Sequence, residues 1–492
     1  MKLDGINNRI FNSDKFKNIL FSIENNRKID VCGLVRSTKA SVIYGIFKKI
    51  DKKIFVISPS NYEAKDMHDN IKVYTNDCVY FQERENVFYN VEAFSSDLKF
   101  DRIIAMREIC SNKSKIICTS IESLVSLYMG NTDRITKLDV YIFKNMEYEF
   151  EKFINDIFSL GYDRVSKVEQ KGQYAVRGGI IDVFPINYSC AYRIEFFGDM
   201  IENIKSFNVT TQMSIESVQN INIIQCKEFI LNDEEKYKLY ENLEMDFKEH
   251  ISCIKDLEVD EKLGSKFNFI LDKLKEGNFY DEYNIIVPYL HKYLCEFFEF
   301  MNDSIVLVDE YKKCMESLDS SYERFISNFD MLLLRGEVLP NQINLLINKE
   351  DLILKLEKIN NLSFNLFNYY NKNNIIEFRT RNIVKMDGRI NVILNEIKNK
   401  LSEDYCVIIL SSSESRCKKL KEILLEYEIE STLCNELDNI CNGKVFISGG
   451  YLNEGYDFSD FNLYVLSDQE IFGYEKHNKH KKSFSSSKKR SN

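Results

Sequence analysis

Residues 172–214 read GQYAVRGGIIDVFPINYSCAYRIEFFGDMIENIKSFNVTTQMS. Tyr174 and Val176 alternate with Ala175 and Arg177 until Gly178-Gly179 interrupts the period, and Ile180, Ile181, Val183 and Phe184 follow. Paired glycines inside a strand pattern mark a bulge or a sharp bend, so the segment reads as two strands with a glycine-bearing connection. Residues 192–197 alternate more cleanly, with Tyr192, Ile194 and Phe196 on one face and Arg193, Glu195 and Phe197 on the other. Gly198-Asp199 supplies a tight turn into a returning strand through Ile201, Ile204 and Phe207. Phe197 breaks the pattern, because it shares with Arg193 the face that otherwise looks wet. An exposed aromatic flanked by arginine is the composition of a protein-binding hot spot. A second layer over that face would instead make Phe197 core, and the sequence leaves both readings open.

Working outward, residues 1–138 alternate strands with helices. Strands are expected near 28–34, 54–58, 78–81 and 115–120, with helices over 39–50 and 101–109 between them. This βαβα rhythm implies a parallel sheet covered on both faces. Its first strand-to-helix junction, Gly33-Leu-Val-Arg-Ser-Thr38-Lys39-Ala40, occupies the place of a phosphate-binding loop. A working loop needs G-x-x-x-x-G-K-[ST], with glycines that let backbone N–H groups wrap the phosphates and a hydroxyl that holds magnesium. Thr38 replaces the second glycine and Ala40 removes the hydroxyl, so the loop reads as degenerate. Lys39 alone survives, and a lysine at a helix start is most simply a solvated surface residue. Val306-Leu-Val-Asp309-Glu310 has the look of a buried strand ending in magnesium-binding acids, a weak signal without a phosphate loop to serve.

Residues 224–372 are mostly helical with charged faces and strands near Ile285 and Ile305, and the aromatics of 294–301 (LCEFFEFM) read as helix core. Residues 373–473 form a second, small α/β unit, with strands at 405–410, 444–448 and 462–467 and a helix at 415–427. Its Gly449-Gly450 and Gly455 have no following lysine and read as turns. The tail, 474–492, is Lys/Ser-rich and expected to be disordered. From Gly473 onward it holds seven Lys or Arg against one acid, Glu475.

The chain has 492 residues, enough for about three domains. A formal net charge of −10 argues against a DNA-binding surface over the whole chain, leaving at most weak or indirect contact through the basic tail. No long apolar run or secretory signal is visible, so no membrane span is expected. Thirteen cysteines are scattered without a CxxC pair, which reads as reduced thiols in a cytoplasm and makes a metal site unlikely on spacing grounds.

The ordered motifs VRGGIIDVFP (176–185), RIEFFGD (193–199), IENIKSF (201–207) and TTQMSIESV (210–218) resemble the domain shared by two bacterial nucleotide-excision-repair proteins, the UvrB helicase and the transcription-repair coupling factor (Mfd). The wording RGGIIDVFP, the later stretch LLLRGEVLPNQINLLINKEDLILKL and the closing GGYLNEGYDFSDFNLYVLSDQEIFG look more like the coupling factor. So does the degenerate loop, since UvrB keeps a working one. The connection 121–139 also looks too short for the aromatic damage-probing hairpin of UvrB.

The resemblance implies a P-loop-like α/β domain split into 1–138 and 224–372, an α+β domain at 139–223 inserted into it that docks the damage-recognition protein UvrA, a small α/β domain at 373–473 and the basic tail. By residue-wise resemblance Arg177, Arg193 and Phe197 match positions that contact UvrA; local ion pairs of Arg177 or Arg193 with Asp182 or Glu195 are the competing reading. In the family, a polymerase-binding domain and an ATP-driven DNA translocase follow, which this sequence is expected to lack. The implied role is a non-catalytic, cofactor-free scaffold that recruits UvrA in transcription-coupled repair, with a separately encoded motor half as a possible second partner. Competing readings are an ATP-dependent, UvrB-type damage-verifying helicase and an idle truncated remnant.

Overall fold

The computed structural model describes residues 4–84, 96–111, 113, 115–125, 128–129, 138–276, 283–290, 294–368, 374–383, 390–411, 413–435, 437, 440–467 and 470–471. Most of the connection at 121–139 and the whole tail at 474–492 therefore lie outside the described residues.

The first domain is built on a seven-stranded sheet. Its spatial order is Ile375–Glu377, Ile29–Cys32, Leu362–Asn365, Ile305–Asp309, Ile54–Ser58, Ile116–Ser120 and Cys78–Phe81. Every pairing in it is parallel. The strand sequences explain the arrangement: IVLVD, IFVIS and IICTS are buried at every position, as strands covered on both faces must be. Helices Arg36–Lys49 and Asn61–Lys72 supply cover, the second capped by Ser60, whose hydroxyl accepts from the Glu63 N–H. Strands from before residue 121 and after residue 304 interleave at the centre of this one sheet, so everything between them is an excursion from it.

Two expectations are corrected here. Residues 375–377, placed with the last α/β unit and not expected to be a strand, form one that pairs with Ile29–Cys32 and completes the first sheet. The region of Ile285 is not a strand but a helical turn, Tyr283–Ile286, running into a 3-10 turn at Val287–Tyr289. Pro288 explains the second: it has no N–H to give a ladder, yet its fixed φ suits the first turn of a helix. The aromatics of 297–301 do form core, in a 3-10 turn that buries Phe297, Phe298 and Met301.

The excursion contains a six-stranded sheet in the order Ser214–Ser217, Met200–Phe207, Ala191–Phe197, Ile180–Val183, Gln173–Arg177 and Asp163–Arg164. Helix Phe150–Ser159 packs on its inner face, with Phe153 and Ile157 against Tyr174, Ile181, Ile194, Phe196 and Ile204. Downstream, helices Asp233–Cys253 and Leu257–Lys275 share a separate core through Leu239, Leu243, Phe247, Leu263 and Phe267. The last domain is a six-stranded sheet ordered Thr380–Asn382, Tyr456–Phe458, Leu463–Ser467, Cys406–Ser411, Val445–Gly449 and Ser431–Cys434. It is not a free-standing unit. Val31, Leu362 and Phe364 of the first sheet and Ile408, Phe446 and Tyr456 of the last belong to one continuous apolar cluster.

Among the described residues, no helix is long and apolar enough to cross a membrane, and no three His, Cys, Asp or Glu side chains are grouped to hold a metal ion.

Candidate docking face and phosphate loop

The outer face of the inserted sheet follows from its register. Ala175, Asp182 and Arg193 stand in one cross-strand row, and Arg177, Ile180, Glu195 and Asn203 in the next. Phe197 pairs with Met200 beyond them. Successive residues point to opposite faces of a strand, and a bulge that leaves Glu202 without a cross-strand partner brings Met200 onto the same face as Asn203, so these side chains all lie opposite the core. The glycine pair is a two-residue hairpin turn between Gln173–Arg177 and Ile180–Val183 rather than a bulge, and Gly198-Asp199 forms a second turn at the same end of the sheet.

The question left open for Phe197 is answered by where the cover stops. Val168, Ala175, Phe184, Ala191 and Phe207 form a small second core over the end of the outer face away from the turns. The turn end is bare, and Phe197 is 80% exposed there, with Ile180 and Met200 exposed beside it. Sequence reasoning missed those two. Each directly follows a turn residue, and an apolar side chain so close to a hairpin turn was the available signal.

The two arginines differ. Arg193 donates from both Nε and Nη2 to the two carboxylate oxygens of Asp182, at 2.7 and 2.9 Å, and its guanidinium lies 4.8 Å from the centre of the Phe207 ring. The local ion pair with Asp182 is therefore formed by Arg193, whose fork is already engaged within the sheet. Arg177 is half exposed and makes a longer contact, 3.9 Å, with the same carboxylate, so it is held less tightly than Arg193. Glu195 is held below the usual carboxylate range, first by hydrogen bonds from Lys205 at 2.8 and 3.0 Å.

At the head of the first sheet, the loop from Gly33 to Ala40 is filled by its own chain. Gly33 has φ +77°, and a Cβ there would stand 2.0 Å from the Phe378 carbonyl oxygen. The Val35 N–H, a group a phosphate would use, donates to Thr380 Oγ1 at 2.9 Å, and that hydroxyl donates to the Gly33 carbonyl at 2.6 Å. Ser37 donates to the Glu454 carbonyl at 2.8 Å. Thr38 turns its hydroxyl back onto the Val35 carbonyl at 2.7 Å, and Ala40 is packed in the core.

Lys39 is not the solvated residue expected. It is 5% exposed, and its ammonium donates to Asp309 at 2.6 Å and Glu310 at 2.8 Å. The surviving lysine of the degenerate loop and the two acids at the end of strand Ile305–Asp309 thus form one buried ion cluster. Burial works against the charge on Lys39, but the two carboxylates more than offset it and hold its pKa above the ordinary lysine value. Asp309 is pushed up by burial, since one ammonium serves two acids. Sequence could not pair residues 270 positions apart.

Comparison with known proteins locates this geometry. Residues 140–229 match the UvrB interaction domain. The matched segment is the one that carries the bare turn end. Beyond it, the chain is similar along nearly its whole length to transcription-repair-coupling factors. It is 24% identical over 481 residues to that of Bacillus subtilis, covering 96% of this chain and 40% of that protein. The coupling factor of Staphylococcus epidermidis is also 24% identical, over 483 residues, and that of Staphylococcus haemolyticus is 23% identical over 482. The chain thus spans about 40% of the length of the curated relatives it matches.

Proposed function

We propose that this chain is a recruitment scaffold of transcription-coupled nucleotide excision repair, whose inserted sheet docks UvrA. The observation that carries the reading is the coincidence of the matched UvrB interaction domain with an uncovered aromatic, Phe197, on a rigid sheet. Arg177, Arg193 and Phe197 mark the face: Phe197 as the dry anchor, Arg177 as a solvent-facing guanidinium for a partner carboxylate, and Arg193 on the row behind. The test is calorimetric binding of purified UvrA to the wild type and to an Arg177→Ala/Phe197→Ala variant. Micromolar or tighter affinity, about −8 kcal/mol, that is lost in the still-folded variant supports the reading. No binding by the wild type overturns it.

The filled loop supports a second element of the proposal: this chain does not itself turn over nucleotide. A phosphate would have to displace Thr380 from the Val35 N–H and Lys39 from two carboxylates. Magnesium–ATP turnover by the purified chain that disappears in a Lys39→Met variant still folded at the assay temperature, as shown by its melting curve, would refute this and favour the helicase reading.

A further inference from the structure

The docking reading leaves open which atoms make the contact. Resting on that reading, we propose that the contact is a preorganised apolar triad, Ile180, Phe197 and Met200, with Arg177 at its rim, and that it fits an apolar depression of UvrA bordered by a carboxylate. The three side chains are 37%, 80% and 50% exposed. They share one face and one end of the sheet, because Arg177 pairs with Ile180, Ile180 with Glu195, and Phe197 with Met200. Arg193 is drawn inward by Asp182, so on this face the guanidinium free to reach outward is that of Arg177.

Both turns that carry the triad are fixed in place. The Phe196 N–H donates to the Gly179 carbonyl at 2.8 Å, which joins the first hairpin tip to the strand of the second. Only glycine permits that approach, since a Cβ at Gly179 would stand 2.9 Å from the Phe196 carbonyl oxygen. The second turn is tied to the helix behind it. Its Asp199 carbonyl accepts from the Tyr148 N–H at 2.6 Å, and its carboxylate accepts from the Phe150 N–H at 3.0 Å, where helix Phe150–Ser159 begins. Phe196, the neighbour of Phe197, is wedged edge-on against Phe150 at 5.2 Å. With the backbone of both turns held this firmly, binding orders side chains alone and not the loops that carry them, which lowers the cost of using the exposed patch as an anchor.

The test measures UvrA affinity for the full chain carrying Ile180→Ala, Met200→Ala or both, with Phe197→Ala as reference. Met213→Ala/Ile215→Ala is the control, because those residues are more exposed than Ile180 and Met200 but lie on the edge strand Ser214–Ser217 or directly before it. We expect each single variant to weaken binding about tenfold and the pair about a hundredfold, with the control unchanged. Thermal melting matching the wild type establishes that each variant is folded, and Ile180→Val and Met200→Leu should restore most of the affinity. If Phe197→Ala abolishes binding while Ile180→Ala/Met200→Ala does not change it, the triad is wrong and the docking face stands. If the edge-strand control weakens binding as much, the contact is a diffuse apolar face and the triad is again wrong. If wild type does not bind UvrA, the docking reading and the triad fall together.

Discussion

Replacing Lys39 with methionine keeps the length and apolar stem of the side chain and deletes its charge. Asp309 and Glu310 would then face each other in a site where all three side chains are less than a tenth exposed. Removing one partner of a buried ion pair typically costs about 3–5 kcal/mol, because the stranded charge keeps its desolvation penalty without its attraction. Two stranded carboxylates put the expected loss at the upper end, about 5 kcal/mol, against a total domain stability of about 5–15 kcal/mol. For a domain of this size that is a melting temperature lower by about 10–20 °C. The sign with pH is also fixed. The carboxyl of Asp309 already lies above its ordinary value through burial, so the folded state holds its proton more tightly than the unfolded one. Stability of Lys39→Met should therefore recover as pH falls from neutral towards about 4, whereas the wild type keeps its compensating ammonium. Neutralising all three groups, Lys39→Met/Asp309→Asn/Glu310→Gln, should restore most of the loss at neutral pH. Urea denaturation at pH 5 and 8 reads both effects. A Lys39→Met protein that melts within a degree of the wild type at pH 8 would show that the cluster is hydrated, and the reasoning would fail.

Three other substitutions have defined outcomes. Burial, with Glu122 nearby and against a hydrogen bond from Asn61, raises the Glu83 carboxyl from 4.5 to about 7. A raised carboxyl stabilises the fold least at high pH, so Glu83→Gln should add up to about 3 kcal/mol at pH 8, nothing below pH 4.5, and a graded amount between, as read by urea denaturation across that range. Asp182→Asn removes the bidentate partner of Arg193 in a nearly dry position and should cost about 2 kcal/mol, measured in the same way. Phe197→Ala, in contrast, removes a side chain with no cover and should change unfolding free energy by less than about 0.5 kcal/mol; a larger loss would mean that Phe197 belongs to the core after all.

How far the sequence could be read depended on the range of the interaction. The inserted sheet was legible because its signals are local: a period of two from Tyr192 to Phe197 and turn residues at Gly178-Gly179 and Gly198-Asp199 give strands, faces and hairpins without any distant partner. The strands of the first sheet were legible for a related reason, since runs such as Ile54–Ser58 are apolar at every position. The strand at 375–377 was not seen because its identity is set by pairing with Ile29–Cys32, some 345 residues earlier, and nothing in its own three residues says that it is a strand or which sheet it joins. Lys39 failed likewise. Its partners arrive from the end of a strand that is separated from it by the whole insertion. The role of Arg193 was half legible: Asp182 was visible as a candidate partner, but only the cross-strand register decides that both of its oxygens are taken.

The insertion also shows why a docking face can sit on this chain without disturbing the sheet it interrupts. Its entry and exit strands, Val140–Phe143 and Asn220–Ile223, pair antiparallel with each other, Val140 opposite Ile223 and Phe143 opposite Asn220. The chain thus leaves and returns at neighbouring points, and the insertion closes on itself through its own ladder. Two charged clasps flank its root on helix Ser96–Cys110 of the first domain: Arg107 to Asp139 at the entry, at 2.5 Å, and Arg102 to Glu228, five residues past the end of the exit strand, at 2.8 Å. Ile103 of the same helix enters the core of the insertion between them. The triad lies on the turns of the six-stranded sheet, the Gly198-Asp199 turn being tied to helix Phe150–Ser159 of the insertion itself. Changes in Ile180, Phe197 or Met200 therefore act on an element braced within the insertion, while the clasps at Asp139 and Glu228 govern how that element is carried by the first domain. On the proposed docking reading, affinity and placement would then be set by different residues, the first by the turn end of the sheet and the second by the clasps at its root.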